Sequence, residues 1–187
     1  MTEATPPAVE LDELIALFYC AASDLGQFAR CLPQDCPANY SDMLDHEEHM
    51  TVTVERRHGS AVDVQVLDSR LTASHYIRKI VLRRKSDQRV VLFGIVRLAL
   101  TALQPAVRNE IMAQKIPLGR VLILHNVLRH VQLNALWRVI CAHELAELFE
   151  TQPGTITYGR TAVIYCDGEP AVELLEIVSP EDIEQMT

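Results

Sequence analysis

The sequence predicts a single α+β domain built on an antiparallel sheet of six or seven strands, with helices packed on one face. Along several segments apolar and polar residues alternate, which is the period of a strand. Short turns join these segments into hairpins, and hairpins pair strands antiparallel. Other stretches have helical spacing, such as Leu11, Leu14, Ile15 and Phe18. This mixture of hairpins and amphipathic helices is typical of the α+β class.

The closing hairpin, residues 158–180, is the clearest of these signals. Two apolar runs flank the turn Asp167-Gly168-Glu169-Pro170. Asp and Gly tolerate a positive φ, and Pro170 fits only at the start of the returning strand. We therefore expect the chain to end in two paired strands.

The other predicted strands precede this hairpin. An early hairpin is predicted around Gly59, with Val52 and Val54 on one strand and the segment Val62–Val66 on the other. The five main strands of the predicted sheet are Tyr76–Arg84, Val90–Leu98, Val127–Val139, Thr155–Cys166 and Ala171–Val178.

The predicted helices are short. One begins at Val9, one has Ser41 as its N-cap, one runs from Thr101 to Gln114, and the last is the segment AHELAELF. Gly26 and Phe28 are assigned to a short helical or loop segment.

The segment IPLGRVLIL contains a predicted tight turn. Pro117 and Gly119 bracket it, either as a simple link or as a turn that directs backbone N–H groups at a ligand.

Composition narrows the functional classes. The chain has 187 residues, 49% of them hydrophobic, a formal net charge of −8 and a pI of about 5.3. This charge argues against nucleic acid and anionic lipid as partners. No apolar run is long enough to cross a membrane. Residues 1–8 are predicted to be a disordered tail, and residues 9–187 one domain.

The five cysteines are an odd number, and the acidic N-terminus MTEATPPAVELDE has no secretory signal. We therefore expect reduced thiols and a cytoplasmic location. Cys31 and Cys36 have no second pair at zinc-ligand spacing, and His46 and His49 have no evident third ligand. The sequence predicts no metal site.

The strands place charged residues among apolar neighbours. On the last strand, alternation puts Glu176 on one face and Glu173 on the other. A carboxylate in apolar surroundings has a raised pKa and is a candidate acid, although either glutamate can equally lie on a solvated face. Arg78 shares a face with Tyr76 and Ile80, and it needs an anion if that face is buried.

Four segments together resemble the chorismate pyruvate-lyases (4-hydroxybenzoate synthetases), including a related branch classed as a domain of unknown function. The similarity spans about Leu44 to Pro180. It implies an antiparallel sheet of six strands and conversion of chorismate to 4-hydroxybenzoate and pyruvate without a metal or organic cofactor. The segments are LDHEEHMTVTVE, YIRKIVLR, IPLGRVL and YGRTAVIYCDGEPAVELLEIVSP.

The resemblance also implies a set of ligand contacts. Met50, Arg78, Leu118 and Glu176 match the family's contact residues. Glu176 is preferred over Glu173 because the family's glutamate stands four residues before a proline, as Glu176 does.

The secondary candidates are Thr51 and Gly119, through their backbones. Where the family has an arginine after a strand glycine, this chain has Ile95. Arg97, two residues on, is the expected substitute.

These contacts suit a dianionic ligand resembling chorismate. Arg78 is expected to hold a carboxylate, and Glu176 to protonate the departing enolpyruvyl group. The first functional hypothesis is therefore a cofactor-independent carbon–oxygen lyase acting on chorismate for quinone or other aromatic biosynthesis. The alternatives are a non-catalytic binding domain of the same fold for an aromatic or enolpyruvyl acid, and a lyase acting on a related substrate.

Overall fold

The computed structural model describes residues 9–180, and its centre is one antiparallel sheet of seven strands. The predicted tail, residues 1–8, and residues 181–187 lie outside the described part of the chain. The spatial order of the strands is β1-β5-β6-β7-β4-β3-β2. They are β1 (Gly26–Cys31), β2 (Val62–Leu71), β3 (His75–Arg84), β4 (Val90–Ala99), β5 (Arg129–Cys141), β6 (Ile156–Cys166) and β7 (Glu169–Val178).

Helices pack against this sheet. Four of them, α3 to α6, supply apolar side chains to the clusters on one face, and the shorter α1, α2 and α7 supply the cluster on the opposite face. They are α1 (Leu11–Ala16), α2 (Ala22–Leu25), α3 (Ala38–Leu44), α4 (Met50–His58), α5 (Pro105–Met112), α6 (Leu118–Leu124) and α7 (His143–Leu148).

The predicted fold class is confirmed. Every strand pair in the sheet is antiparallel, and the larger group of helices covers one face. The closing hairpin turns where expected, with a positive φ at Asp167 (52°) and Gly168 (88°).

Strands β4, β6 and β7 form the middle of the sheet and are buried on both sides. In β4, for example, Phe93 and Ile95 belong to the cluster of α1 and α7, whereas Val96 belongs to that of α5 and α6. A charged side chain on these central strands is therefore removed from water whichever face it lies on.

Residues 50–58 differ most from the prediction. They form helix α4 rather than the first strand of a hairpin. Its buried residues are Met50, Thr51, Thr53 and Val54, of which Met50, Thr53 and Val54 have helical spacing, so the alternating valines were misleading. Gly59 adopts the left-handed conformation (φ 60°) that ends a helix, and it does not form a hairpin turn.

Three further predictions are corrected. Residues 26–31 form the edge strand β1 rather than a helix or loop, because they pair with β5. Ser41 lies inside α3, whose N-cap is Pro37. Pro117 is the N-cap of α6, so the predicted tight turn at 117–119 is the start of a helix.

Gly159 is required by the close approach of β7. A Cβ at this position would lie 2.6 Å from the Glu176 carbonyl oxygen, which is backbone and cannot rotate away. We predict that Gly159→Ala lowers the free energy of unfolding by about 1–3 kcal/mol, measured by urea denaturation. The control is Gly94→Ala, whose Cβ would meet the Ile80 side chain at 3.3 Å and should cost less. Equal losses would show that backbone crowding at Gly159 is unimportant.

Candidate functional site

A cavity of about 40 Å³ lies between the sheet and the helices α4 and α6. By volume it has room for roughly three water molecules. Its walls are mainly apolar, and the charged residues that border it are Arg78 and Glu176. The sheet contributes β3, β4 and β7, while the N-terminal turns of α4 and α6 close the opposite side.

Six of the seven predicted site residues border this one cavity, although their roles in binding stay predictions. Met50 and Thr51 begin α4, and Leu118 and Gly119 begin α6, so two distant sequence segments meet here. The six residues are Met50, Thr51, Arg78, Leu118, Gly119 and Glu176.

Arg97 is the exception. It lies on the opposite face of β4, where its guanidinium binds the Glu173 carboxylate at 2.5 and 2.9 Å and also lies 3.7 Å from Glu13. Alternation along β4 explains this placement, since Val96 and Gly94 face the cavity and Ile95 and Arg97 face away. Arg97 therefore cannot replace the missing arginine, and Glu173 is not an alternative cavity acid.

Arg78 is a buried cation without a carboxylate partner in the described chain. Its side chain is only 2% exposed, and Nη1 donates a long hydrogen bond of 3.4 Å to the Ile111 carbonyl. Within residues 9–180, Nε has no hydrogen-bond partner. Burial lowers the pKa of Arg78, and the Tyr76 hydroxyl opposes this effect. Because a guanidinium stays charged in proteins, the cavity contains an uncompensated positive charge.

Arg160 is the functional residue that the sequence analysis missed. It is 1% exposed and lies opposite Glu176 in the β6–β7 ladder. Its Nε donates to a Glu176 carboxylate oxygen at 2.9 Å. A charged residue in the centre of the apolar run YGRTAVIY, on the same face as Tyr158 and Ala162, was the available signal.

The rest of the Arg160 guanidinium holds the loop between α3 and α4. Nη1 donates to the carbonyls of Leu44 (3.3 Å) and His46 (2.9 Å), and Nη2 donates to that of Glu48 (3.0 Å). This loop leads directly into the cavity wall at His49 and Met50. Arg160 thus fixes both the cavity carboxylate and the segment that covers it.

Glu176 has a carboxylate that is partly removed from water, with a side chain 14% exposed. Burial raises the pKa of the Glu176 carboxyl, while the adjacent Arg160 opposes the rise through its charge and its hydrogen bond. Oε2 accepts the hydrogen bond from Arg160, so Oε1 is the oxygen that can accept a hydrogen bond from a ligand hydroxyl.

His49 separates the cavity from the surface. It precedes α4 and is 8% exposed, and within residues 9–180 its Nε2 has no hydrogen-bond partner. Burial, followed by the charges of Arg129 and Arg160, lowers the pKa of His49 from 6.5 to about 4. The imidazole is therefore neutral at pH 7.

The metal candidates do not form a cluster. The His46 ring is used locally, with Nε2 close to the Met43 carbonyl (2.6 Å) and to the Thr53 hydroxyl (3.1 Å). Glu144, on α7, accepts from Lys79 and Tyr19. Over the described range 9–180, no group of three or more His, Cys, Asp or Glu side chains is arranged to hold a metal ion.

The fold resembles solved effector domains. The effector domain of PhnF from Mycobacterium smegmatis matches with a TM-score of 0.54 and 13% identity, covering 71% of this chain and 88% of that domain. A second PhnF structure from the same organism matches with a TM-score of 0.52 and 13% sequence identity, covering 70% of this chain. This chain spans only 63% of the length of that PhnF chain. These matches establish that the fold is the chorismate lyase-like α+β fold.

One further structural match is more distant. It is the ligand-binding domain assigned to a GntR-family transcriptional regulator from Bordetella bronchiseptica, with a TM-score of 0.44 and 16% identity over 66% of this chain and 92% of that one. No family model matches the chain, and no curated protein matches it.

The comparisons contradict the prediction of a carbon–oxygen lyase. The matched PhnF structure is named as an effector domain rather than as a lyase. The resemblance to chorismate pyruvate-lyases therefore extends to the fold, and the roles expected of Glu176 and Arg78 stay predictions. In the described residues, no helix is long and apolar enough to cross a membrane.

The Arg160–Glu176 pair should be essential for stability. We predict that Arg160→Met lowers the free energy of unfolding by roughly 3–5 kcal/mol, because it leaves a buried carboxylate and three carbonyls without their donor. Urea denaturation at pH 7 is the measurement. Arg160→Met combined with Glu176→Leu should recover part of the loss.

The matched control is Arg97→Met, which breaks the partly exposed pair with Glu173 (both side chains 24% exposed). It should cost about 1 kcal/mol or less. If Arg160→Met costs no more than Arg97→Met, the proposed role of the buried pair is wrong.

Acidification should destabilise the fold through His49. The pKa of His49 is about 4 in the folded chain and 6.5 ordinarily. Between these values the unfolded chain binds more protons, so the stabilisation is complete above about pH 6.5 and is lost as the pH falls toward 4. The full effect corresponds to roughly 3 kcal/mol.

Urea denaturation at pH 7 and pH 4.5 tests this effect. Between pH 7 and pH 4.5 the free energy of unfolding of His49→Gln should fall by roughly 2 kcal/mol less than that of the wild type. His130→Gln is the control, because the His130 side chain is 57% exposed. Identical pH dependence in the wild type and His49→Gln would refute the prediction.

Proposed function

We propose that this chain is a non-catalytic binding domain for a small aromatic or enolpyruvyl acid, with Arg78 holding the carboxylate of the ligand. The observation that carries the proposal is the burial of Arg78 in the cavity wall without a carboxylate partner within residues 9–180. An unpaired buried charge is costly to a fold, and a carboxylate ligand compensates it through a bidentate, charge-assisted contact.

The charge balance of the cavity favours a single carboxylate. Glu176 is already neutralised by Arg160, and His49 is neutral at pH 7. Among the described residues that border the cavity, Arg78 is thus the only surplus charge. Since Arg97 lies on the other face, residues 9–180 supply no second cation inside the cavity to bind a second carboxylate. The proposed ligand presents one carboxylate to the cavity, in contrast to the dianion expected from the sequence.

The remaining walls suit the body of such an acid. Ile80, Leu82, Leu92, Val96 and Leu174 form apolar surface around Arg78, and ligand sites are typically apolar with a few convergent polar groups. Glu176 Oε1 can accept a hydrogen bond from a ring hydroxyl at the other end. A hydroxylated aromatic acid such as 4-hydroxybenzoate has this arrangement of groups.

A binding role also agrees with the name of the similar PhnF structure, which is described as an effector domain. A regulator needs a response to the ligand and a separate element that acts on DNA. The negative net charge of this chain, −8, makes nucleic acid an unsuitable direct partner. We therefore propose a sensing role for this domain.

The test uses isothermal titration of purified protein with 4-hydroxybenzoate and with chorismate. We predict that Arg78→Met weakens binding at least about 30-fold, equivalent to 2 kcal/mol or more, because a desolvated carboxylate loses its partner. The same substitution should leave the fold as stable as the wild type or more stable, because it removes an unpaired buried charge.

Arg97→Met is the matched control and should bind like the wild type. Equal binding by Arg78→Met and the wild type would exclude Arg78 as the carboxylate contact. Release of pyruvate from chorismate, followed in the same samples, would contradict a non-catalytic role.

A further inference from the structure

A groove of about 620 Å³ lies on the surface beside the cavity. One side is apolar, formed by Val52 of α4 and by Ile123, Val127 and Leu128 around the α6–β5 connection. Leu128 is 75% exposed and Ile123 36% exposed, which is unusual for large apolar side chains. The charged residues of the groove are Arg129 and two glutamates, Glu47 and Glu48. Glu48 is paired with Arg56 at 3.0 Å, and Glu47 lies 3.9 Å from His130. The volume falls in the range of small-molecule sites, about 300–1,000 Å³.

The groove and the cavity share one bordering residue, His49. The imidazole is packed against α6 at the position of Gly119, where a Cβ would lie 3.0 Å from the His49 Cβ and 3.2 Å from its Cγ. The His49 backbone is fixed, because its carbonyl accepts the N–H groups of Val52 and Thr53. The Nε2 atom, in contrast, has no hydrogen-bond partner within residues 9–180.

The cavity is too small to hold an aromatic acid by itself. At about 40 Å³ it is several times smaller than a site that encloses an aromatic acid. The groove on the other side of His49 is large enough. Because the ring is neutral at pH 7 and Nε2 makes no hydrogen bond, rotation of this one side chain breaks packing contacts but no ion pair.

We propose that the groove is the outer chamber of the ligand site and that the His49 side chain is the movable partition through which a small aromatic or enolpyruvyl acid reaches Arg78. This inference rests on the proposed function. The acid first meets Arg129 in the groove, and its apolar body lies against Val52 and Leu128. When His49 rotates, the carboxylate passes to Arg78. Arg129 and Arg78 lie on opposite sides of the partition, and each can pair with the carboxylate of the acid. Of the two glutamates in the groove, Glu48 is already paired with Arg56.

The kinetics of 4-hydroxybenzoate binding test the partition. In stopped-flow measurements His49→Ala should raise both the association and the dissociation rate about tenfold, with a much smaller change in Kd, because a gate alters rates rather than the bound state. His49→Phe keeps a ring of similar size and should remain slow. His130→Ala is the matched control, since His130 borders neither chamber.

Two results distinguish the possible failures. If the wild type binds 4-hydroxybenzoate but His49→Ala has unchanged association, His49 is an ordinary wall residue and the partition is refuted. If the wild type does not bind the acid at all, the proposed function has failed for this ligand. A second measurement, which needs no ligand, then tests whether His49 controls access to the cavity.

That measurement is the labelling of a cysteine placed in the cavity wall. Leu118→Cys, alone and combined with His49→Ala, is treated with a small neutral methanethiosulfonate, and peptide mass spectrometry follows residue 118. We expect labelling about tenfold faster in the double variant. The exposed Cys20 is the internal reference and should react equally in both proteins. Equal labelling at residue 118 would overturn the inference.

Discussion

The structure depends on how one buried guanidinium is satisfied. Arg160 has almost no exposure, and removing its charge from water would be prohibitive without partners. Its donors reach one carboxylate, Glu176, and three main-chain carbonyls of the α3–α4 loop. The contacts link the centre of the sheet to a loop more than 110 residues earlier in the chain. Arg160 therefore fixes the α3–α4 loop that leads into the cavity wall, and the same guanidinium compensates the charge of the buried Glu176.

Arg78 lies on the same face of the sheet, but its guanidinium makes far fewer hydrogen bonds than that of Arg160. Arg160 is fully used by the protein, whereas Arg78 has one long bond to a carbonyl and a contact with the Tyr76 hydroxyl. Two arginines of similar burial thus have different consequences, since one contributes to the fold and the other is a charge for which residues 9–180 provide no carboxylate. Proteins accept such a cost mainly where a ligand repays it. This contrast, more than the shape of the cavity, distinguishes a binding site from a packing defect.

The sequence predicted the sheet well because strand signals there were long and bounded by turns. Alternation left open whether the faces of Arg78 and Glu176 are buried, and the family resemblance selected the two residues, which both border the cavity. It failed at residues 50–58, where Met50, Thr53 and Val54 fit a helix but the valines also fit a strand. Arg160 was missed because its partners are carbonyls of a distant loop, which leave no pattern in the sequence. The substitute role given to Arg97 failed because Ile95 and Arg97 share the face away from the cavity.

The error about function has a physical origin as well. An arginine for a carboxylate, a glutamate near a hydroxyl and apolar walls are required both to bind an aromatic acid and to transform it. Residue types at matching positions therefore do not by themselves distinguish binding from a reaction. Whether a glutamate acts as an acid depends on its neighbours. At Glu176 burial raises the pKa of the carboxyl, while the ion pair with Arg160 holds one oxygen and opposes the rise. A carboxylate held in this way is suited to accepting a hydrogen bond from a ligand, so the surroundings of the glutamate, rather than its presence, determine what the site can do.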